Sequence, residues 1–167
     1  MSIHDMILTP TGLRYAAQRY PCSIGRGGLA VEKREGDGAT PVGIHRIVMT
    51  LYRPDRMPSP APWARPILPG DLWSDASSDD ARYNQWVRAP YIHSHEALRR
   101  ADPLYDLVLV TDWNWPKATP GAGSCIFMHQ WRSPGYPTEG CVALKRNHLH
   151  ALAGEIMPGT RLIVRTR

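Results

Sequence analysis

Six prolines fall between Arg53 and Gly70, and neither a helix nor a central strand survives that density of missing backbone N–H groups. The same punctuation recurs elsewhere, with sixteen Pro and fourteen Gly in 167 residues. So many fixed or freed φ angles cut the chain into short segments joined by turns, which favours a β-rich architecture over a helical bundle. The length suits one domain over residues 1–167 with a real core. A hydrophobic share of 43% is ordinary for a soluble globular protein. The Pro-rich stretch exceeds most loops of compact domains. It reads equally as a lid or wall over a site, anchored by Trp63 and Trp73, or as an ordered surface excursion.

Between the turns, apolar periodicity marks the elements. Ile3 to Leu8 is a first strand, closed by the turn Thr9-Pro10-Thr11-Gly12. Leu13, Tyr15 and Ala17 alternate with Arg14, Ala16 and Gln18, as in a strand with one wet face. Gly25, Gly27 and Ala30 imitate a dinucleotide fingerprint, but no helical pattern follows, so a hairpin turn is the better reading. Ile47, Met49 and Leu51 alternate with Arg46, Val48 and Thr50 in another strand. Ser94 is placed to cap a short helix ending at Arg99 and Arg100, cations suited to its C-terminal dipole. Leu107 to Val110 is continuously apolar, as in a strand buried on both faces. A last helix runs from an Asn147 cap through Ala153, with Gly154 at its end. Arg161 to Arg165 closes the chain as a strand.

The chemistry concentrates between Gly123 and Leu144, GSCIFMHQWRSPGYPTEGCVAL. Cys125 to Met128 reads as a buried strand delivering His129 at its end. Pro134, Gly135 and Pro137 turn the chain back to a second apolar run, Val142 to Leu144. His129 and Cys141 can thus meet, and a thiol beside an imidazole is equipped for acyl transfer through a thioester. The imidazole is expected to hold the thiol below the roughly 8.5 of free cysteine. Gly140 frees the backbone before the nucleophile, so that amides there can face an oxyanion. The competing reading makes Cys141 an inert core cysteine.

Several neighbours are candidates for holding a substrate. Tyr83 and Asn84 belong to an aromatic and amide cluster able to hydrogen-bond a peptide backbone. Trp131, Arg132 and Thr138 lie in the returning loop. Arg132 can grip a carboxylate in two parallel hydrogen bonds, with Lys145 and Arg146 as rivals, or all three are solvated surface charges. Glu139 would raise the thiol's pKa if it pointed inward, so it is expected to face solvent or a cation such as Arg132.

His129, Thr138, Gly140 and Cys141 together resemble the signature of the YkuD-type L,D-transpeptidase family: a His, a loop, then Ser/Thr-His-Gly-Cys. Lys33 to Gly43 is similar to that family's GDGxTPxG turn, and Leu104-Tyr105-Asp106-Leu107-Val108 resembles a proteobacterial branch that shares the Thr-Glu-Gly-Cys motif. The chain departs from the pattern in three ways. Glu139 stands where the common motif has His, the loop from His129 to Cys141 is short, and Ala143 replaces a usual basic residue. The resemblance implies a mostly β fold, a small sandwich or barrel-like L,D-transpeptidase catalytic fold with short helices. It places the GDG turn before a strand lining the active-site groove. It also implies peptidoglycan cross-linking with no cofactor. Cys141 attacks the carbonyl after the L-centre of meso-diaminopimelate in a donor tetrapeptide, and His129 acts as acid and then as base. The acceptor is a second diaminopimelate or L-Ala, the latter favoured by the branch-like segments, and water as acceptor gives an L,D-carboxypeptidase. Stem peptides are the implied partners and carbapenem β-lactams the implied covalent inhibitors. A cysteine amidohydrolase acting on recycled wall peptides and a peptidoglycan-binding module with a dead site remain as alternatives.

Other classes find little support. The net charge of +5 is modest and no basic stripe interleaves with aromatics, so nucleic acid is not an expected partner. No apolar run approaches the roughly 20 residues of a membrane span. Met1 to Met6 lacks signal-peptide features, leaving the periplasm or cell wall that the resemblance implies against the cytoplasm. Three cysteines leave at least one free thiol, and a Cys22–Cys125 bridge is an open reading for an exported protein. His93/His95 and His148/His150 have no zinc-like spacing to further ligands, so no metal is expected. Neither a Gly-x-Ser-x-Gly elbow nor a Walker loop is present.

Overall fold

The computed structural model describes residues 3–79 and 81–166. Met1 and Ser2, read above with the N-terminal segment, lie outside them. Four strands open the chain: β1 Met6–Thr9, β2 Gly12–Tyr15, β3 Gln18–Tyr20 and β4 Cys22–Ser23. β5 Leu29–Ala30 and β6 Thr40–Pro41 lead into the long β7, Gly43–Tyr52. β8 Arg65–Pro66, β9 Asp71–Ser74, β10 Trp86–Arg88 and β11 His95–Ala97 follow. The last part holds β12 Leu107–Thr111, β13 Phe127–Gln130, β14 Val142–Leu144, helix α1 Arg146–Glu155 and β15 Arg161–Val164.

The main sheet runs β3-β2-β1-β15-β7-β12-β13-β14-β4, with β8 added beside β7. Its two terminal strands, β3 and β4, are separated in sequence by Pro21 alone. One residue cannot span an open sheet, so the ends are drawn together and the sheet is nearly closed, like a barrel. β7 makes the curvature workable by serving two neighbours. Gly43 to Arg46 pair with β15, while Ile47 to Tyr52 pair with β12 across a register shift at Val110/Thr111. A bulge of this kind bends and twists the ladder locally.

Two apolar clusters lie on opposite faces of β12 and β13. Leu107, Leu109, Met128, Val142 and Leu144 join the first, which α1 covers with Leu149, Leu152 and Ala153. Val108, Val110, Phe127 and Cys141 join the second, with Trp73 from the smaller β10-β9-β11 sheet and Leu98, which follows β11. Burial on both sides explains the continuous apolar run of β12, as the sequence suggests.

The structure corrects several sequence readings. The segment after Ser94 is strand β11, not a helix. Its pairing with β9, His95↔Ser74 through Ala97↔Leu72, satisfies a backbone that a single short helical turn would leave open, and Leu98 is fully buried beside it. The Pro-rich stretch is neither lid nor wall of the pocket described below. It lies along β7 through Leu51↔Arg65 and Tyr52↔Pro66 and inserts Ile67 into the second cluster. Helix α1 begins after Lys145 without a side-chain cap, earlier than an Asn147 cap would place it. All three cysteines are free, so Cys22 and Cys125 are not bridged.

The strand expected through Ala17 instead folds back. Ala16 and Ala17 form the two-residue loop between Tyr15 and Gln18, both exposed and both at positive φ, +46° and +64°. An L-residue with a Cβ costs about 1–2 kcal/mol there relative to an unstrained backbone. Asn-Gly suits such a turn. Ala16→Asn combined with Ala17→Gly is expected to stabilise the fold by about 1 kcal/mol and raise Tm by about 3 °C in thermal unfolding. An unchanged Tm would show the turn to be unstrained.

Candidate active site

β13 and β14 run parallel, with Met128↔Val142 and His129↔Ala143 in register. Extended one residue back, that register sets Cys141 beside Phe127. Side chains two apart along a strand share a face, so His129 and Cys141 emerge on the same side as diagonal neighbours. Both are 8% exposed, and both line a pocket of about 440 Å³. The chain between them turns at Pro134 and Gly135, closed by the Tyr136 amide donating to the Ser133 carbonyl, with Pro137 following the turn.

Gly140 explains how the backbone reaches Cys141. Its φ is +141°, and a Cβ there would sit 2.9 Å from the Ala39 carbonyl oxygen. Only glycine lets this backbone pass the 39–40 segment so closely. Two threonines hold the turn. Thr40 Oγ1 donates to the Gly140 carbonyl at 2.8 Å and accepts from the Gly25 amide at 2.9 Å. Thr138 Oγ1 accepts from the Gly140 amide at 3.1 Å and donates to the Cys141 carbonyl at 2.6 Å. The Gly140 N–H is therefore engaged and is not free for an oxyanion. Thr138 reaches the pocket wall, with its hydroxyl employed in shaping the loop.

The imidazole has a defined tautomer. Its Nδ1 lies 2.7 Å from the Gln130 carbonyl, which can only accept, so the proton sits on Nδ1 and Nε2 keeps a free lone pair. The ring packs edge-on against Tyr105 at 5.2 Å between centroids. Burial is the main reason its pKa falls to about 4, with Arg100 adding in the same sense and the Gln130 carbonyl opposing. The Cys141 Sγ–H donates to the Cys125 carbonyl at 3.0 Å, not to the imidazole. Burial pushes the thiol up to about 12, the Phe127 amide pulling down and the Glu96 charge pushing up. The expectation of a lowered thiol pKa is thus overturned. At this depth desolvation outweighs the neighbouring base, and the pair is a neutral thiol with a neutral imidazole.

The other candidates divide. Arg132 lines the pocket and lies over the Tyr136 ring at 5.4 Å. Glu139 faces away from the thiol as expected, with its side chain 76% exposed, but its partner is Arg26 at 2.8 Å. Trp131 is outside the pocket lining, with its amide bonded to Leu144. Tyr83 and Asn84 are corrected from substrate contacts to scaffold. Tyr83 is buried, donates to the Glu35 carboxylate and accepts from the Gly123 amide. Asn84 Oδ1 accepts from Trp73 Nε1 and the Cys125 amide, and its Nδ2 donates to Trp113 and Asn114 carbonyls. Both side chains have their hydrogen bonds filled from within. Lys145 and Arg146 are not among the lining residues, and Arg146 instead binds Asp106 at 3.2 Å.

The GDG turn forms part of the wall itself. Lys33, with 2% of its side chain exposed, meets Asp37 at 2.5 Å, and Asp37 also accepts from the amides of Arg34 and Ala39 at 2.8 Å. This buried pair fixes the turn, and places Glu35 and Gly36 at the pocket. Glu35 accepts from Ser124 Oγ at 2.7 Å as well as from Tyr83. Sequence reasoning missed Arg100, Glu96 and Asp75, all of which line the pocket. Among the described residues no group of His, Cys, Asp and Glu is arranged to hold a metal ion, and no helix is long and apolar enough to cross a membrane.

Residues 9–164 match the family model of YkuD, the L,D-transpeptidase catalytic domain, so the chain belongs to that family. No curated protein matches the sequence. Among solved structures it is similar to an L,D-transpeptidase from Mycobacterium smegmatis, with 12% identity and a TM-score of 0.47 over 96% of this chain and 58% of that one. The chain thus spans less than two thirds of that enzyme's length.

His129 titration is expected to shape stability. The unfolded imidazole has the ordinary value of 6.5 and the folded one about 4. Between these values the unfolded chain binds more protons, so the contribution of neutral His129 is complete above pH 6.5 and is lost as pH falls through 4. At about 1.4 kcal/mol per pH unit the loss amounts to about 3 kcal/mol. Urea unfolding at pH 4 and pH 7 should show this difference in the wild type and a smaller one in His129→Gln. Equal differences would assign the slope to other groups.

Proposed function

We propose that this domain catalyses L,D-transpeptidation of peptidoglycan stem peptides through a Cys141 thioester. The observation that carries the reading is the placement of the Cys141 thiol and the Nε2 face of His129 on one side of the β13–β14 pair in a single pocket. Both groups rest uncharged, so proton transfer accompanies attack rather than preceding it. Sγ bonds to the carbonyl carbon after the L-centre of diaminopimelate, and the thiol proton passes to His129 Nε2. The C–N bond to the terminal D-Ala breaks, and the imidazolium returns that proton to the leaving amine. An acceptor amine then attacks the thioester, giving its proton to Nε2, and the departing sulfur takes it back. The buried Lys33 ammonium favours the sulfur's negative charge during both steps. The Leu104–Val108 segment places Tyr105 against His129, and with Thr-Glu-Gly-Cys it supports L-Ala as the acceptor residue. A wall substrate places the action in the periplasm or at the cell wall.

Intact mass after exposure to a carbapenem and to a donor tetrapeptide is the direct test. One adduct on Cys141 is expected with each, the second accompanied by release of D-Ala, and neither in Cys141→Ala. His129→Ala should slow acylation by about 100-fold or more. Absence of any adduct on the wild type sinks the reading, and near-wild-type acylation in the His129 variant points to another base.

Arg132 is the proposed partner of a stem-peptide carboxylate. It is exposed at the pocket and steadied by Tyr136, and its planar fork offers two parallel hydrogen bonds that lysine cannot reproduce. Arg132→Lys is expected to raise KM for the tetrapeptide several-fold while Cys141 alkylates at the wild-type rate with iodoacetamide. Identical donor kinetics in the two proteins would remove Arg132 from substrate binding.

A further inference from the structure

Among the described residues that line the pocket, the Glu96 side chain makes no hydrogen bond, and neither does that of Arg132, which rests on the Tyr136 ring. Glu96, on β11, lines the same cavity as Cys141 and keeps 38% of its side chain exposed there. Its nearest cation, Arg100 Nη1, is 3.8 Å away, beyond hydrogen-bond range. That guanidinium is already committed to Asp102, at 2.9 Å through Nε and 2.7 Å through Nη2. Asp75 stands close enough for its charge to act on Glu96, and one of its carboxylate oxygens, Oδ1, is buried without a partner. His95 lies beside Glu96 on the strand. Glu35, His129, Arg132 and Glu139 also line the pocket, and the groups that act electrostatically on Cys141 from other elements are Tyr105, Cys125 and Lys33. Of the latter Lys33 alone is positive, and it is held by Asp37. A partly desolvated carboxylate without a donor is costly to keep, and its charge opposes ionisation of the thiol.

We propose that Glu96 is a specificity-determining residue that receives the side-chain primary ammonium of the donor peptide's diamino acid, and that neutralising its charge in this way readies Cys141 for attack. The proposal rests on the transpeptidase reading for the identity of the donor. An ammonium is compact and carries three donors, so it can satisfy Glu96 in the space that the tied guanidinium of Arg100 leaves open. Binding and activation are then linked. A peptide lacking the ammonium leaves the carboxylate uncompensated and the thiol protonated, whereas the correct donor removes the opposing charge as it enters. Glu96 acts on the thiol through its field, and does not touch the reacting atoms.

The test separates recognition from activation. In a Cys141→Ala background, calorimetry compares a tetrapeptide carrying meso-diaminopimelate with the same peptide acetylated on the side-chain amine. The free amine is expected to bind about tenfold tighter, and Glu96→Gln in that background should erase the preference. In protein with Cys141 intact, Glu96→Gln should shift the pH profile of Cys141 alkylation by iodoacetamide to lower pH and raise its rate at pH 8 several-fold. Equal affinities with Glu96 present, or a preference that survives Glu96→Gln, overturns the ammonium contact. An unmoved alkylation profile overturns the activation. A wild-type protein that binds the peptide yet forms no thioester would instead refute the transpeptidase reading, and the affinities would still judge Glu96.

Discussion

Everything at this site depends on the parallel register of β13 and β14. Met128 opposite Val142 sets His129 and Cys141 on the face away from α1. A slip of one residue would turn Cys141 into the first apolar cluster and bring its neighbours Gly140 and Val142 to the pocket. The register is fixed from both sides. Val142 and Leu144 are fully buried under α1, and the turn before Cys141 is tied through Thr40 and Thr138 to the segments around Gly25 and Ala39. Parallel strands need a connection of some length between them, and here that connection, residues 131–141, contributes Arg132, Tyr136, Thr138 and Glu139 to the pocket.

The electrostatic setting follows from burial. The ordinary pKa values of a thiol, about 8.5, and an imidazole, about 6.5, already favour the neutral pair, and the pocket removes the solvent that would support two charges. Around it the charges are arranged in bound pairs, Lys33 with Asp37 and Arg100 with Asp102. Glu96 and Arg132 stand outside those pairs, and unpaired charges in a partly desolvated site are the natural candidates for a ligand contact.

The parts of this design visible in the sequence are those set by local pattern. The apolar run at Leu107–Val110, the closing strand at Arg161 and the last helix follow from periodicity that tertiary context reinforces. Cys141, Gly140 and His129 are conspicuous because their types are rare together and the turn residues between them are strong signals. What stays hidden is set by pairing across the chain. Arg100 looks like a helix-terminal cation until β11 is recognised as a partner of β9, which turns the His95–Arg100 segment toward the pocket. Tyr83 and Asn84 look like surface hydrogen-bonders, yet the groups that fill them come from residues 35, 73 and 113–125. The left-handed backbone of Cys125, at φ +54°, has no sequence signature, although its carbonyl receives the Cys141 thiol.

The pairing of β1 with β15, Met6↔Leu162 through Leu8↔Val164, joins segments separated by almost the whole chain. It is reinforced by Arg161, which grips Asp5 with both arms of its guanidinium at 2.8 and 2.6 Å. Until residues 161–164 exist, β1 and the first half of β7 face one another across an empty place in the sheet, each with an unpaired edge. A chain emerging from its N-terminus therefore holds Cys141 and His129 before it holds the closed barrel that shapes their pocket. Contacts of such sequence separation form slowly, so folding order itself delays the moment at which Cys141 and His129 become part of a finished pocket.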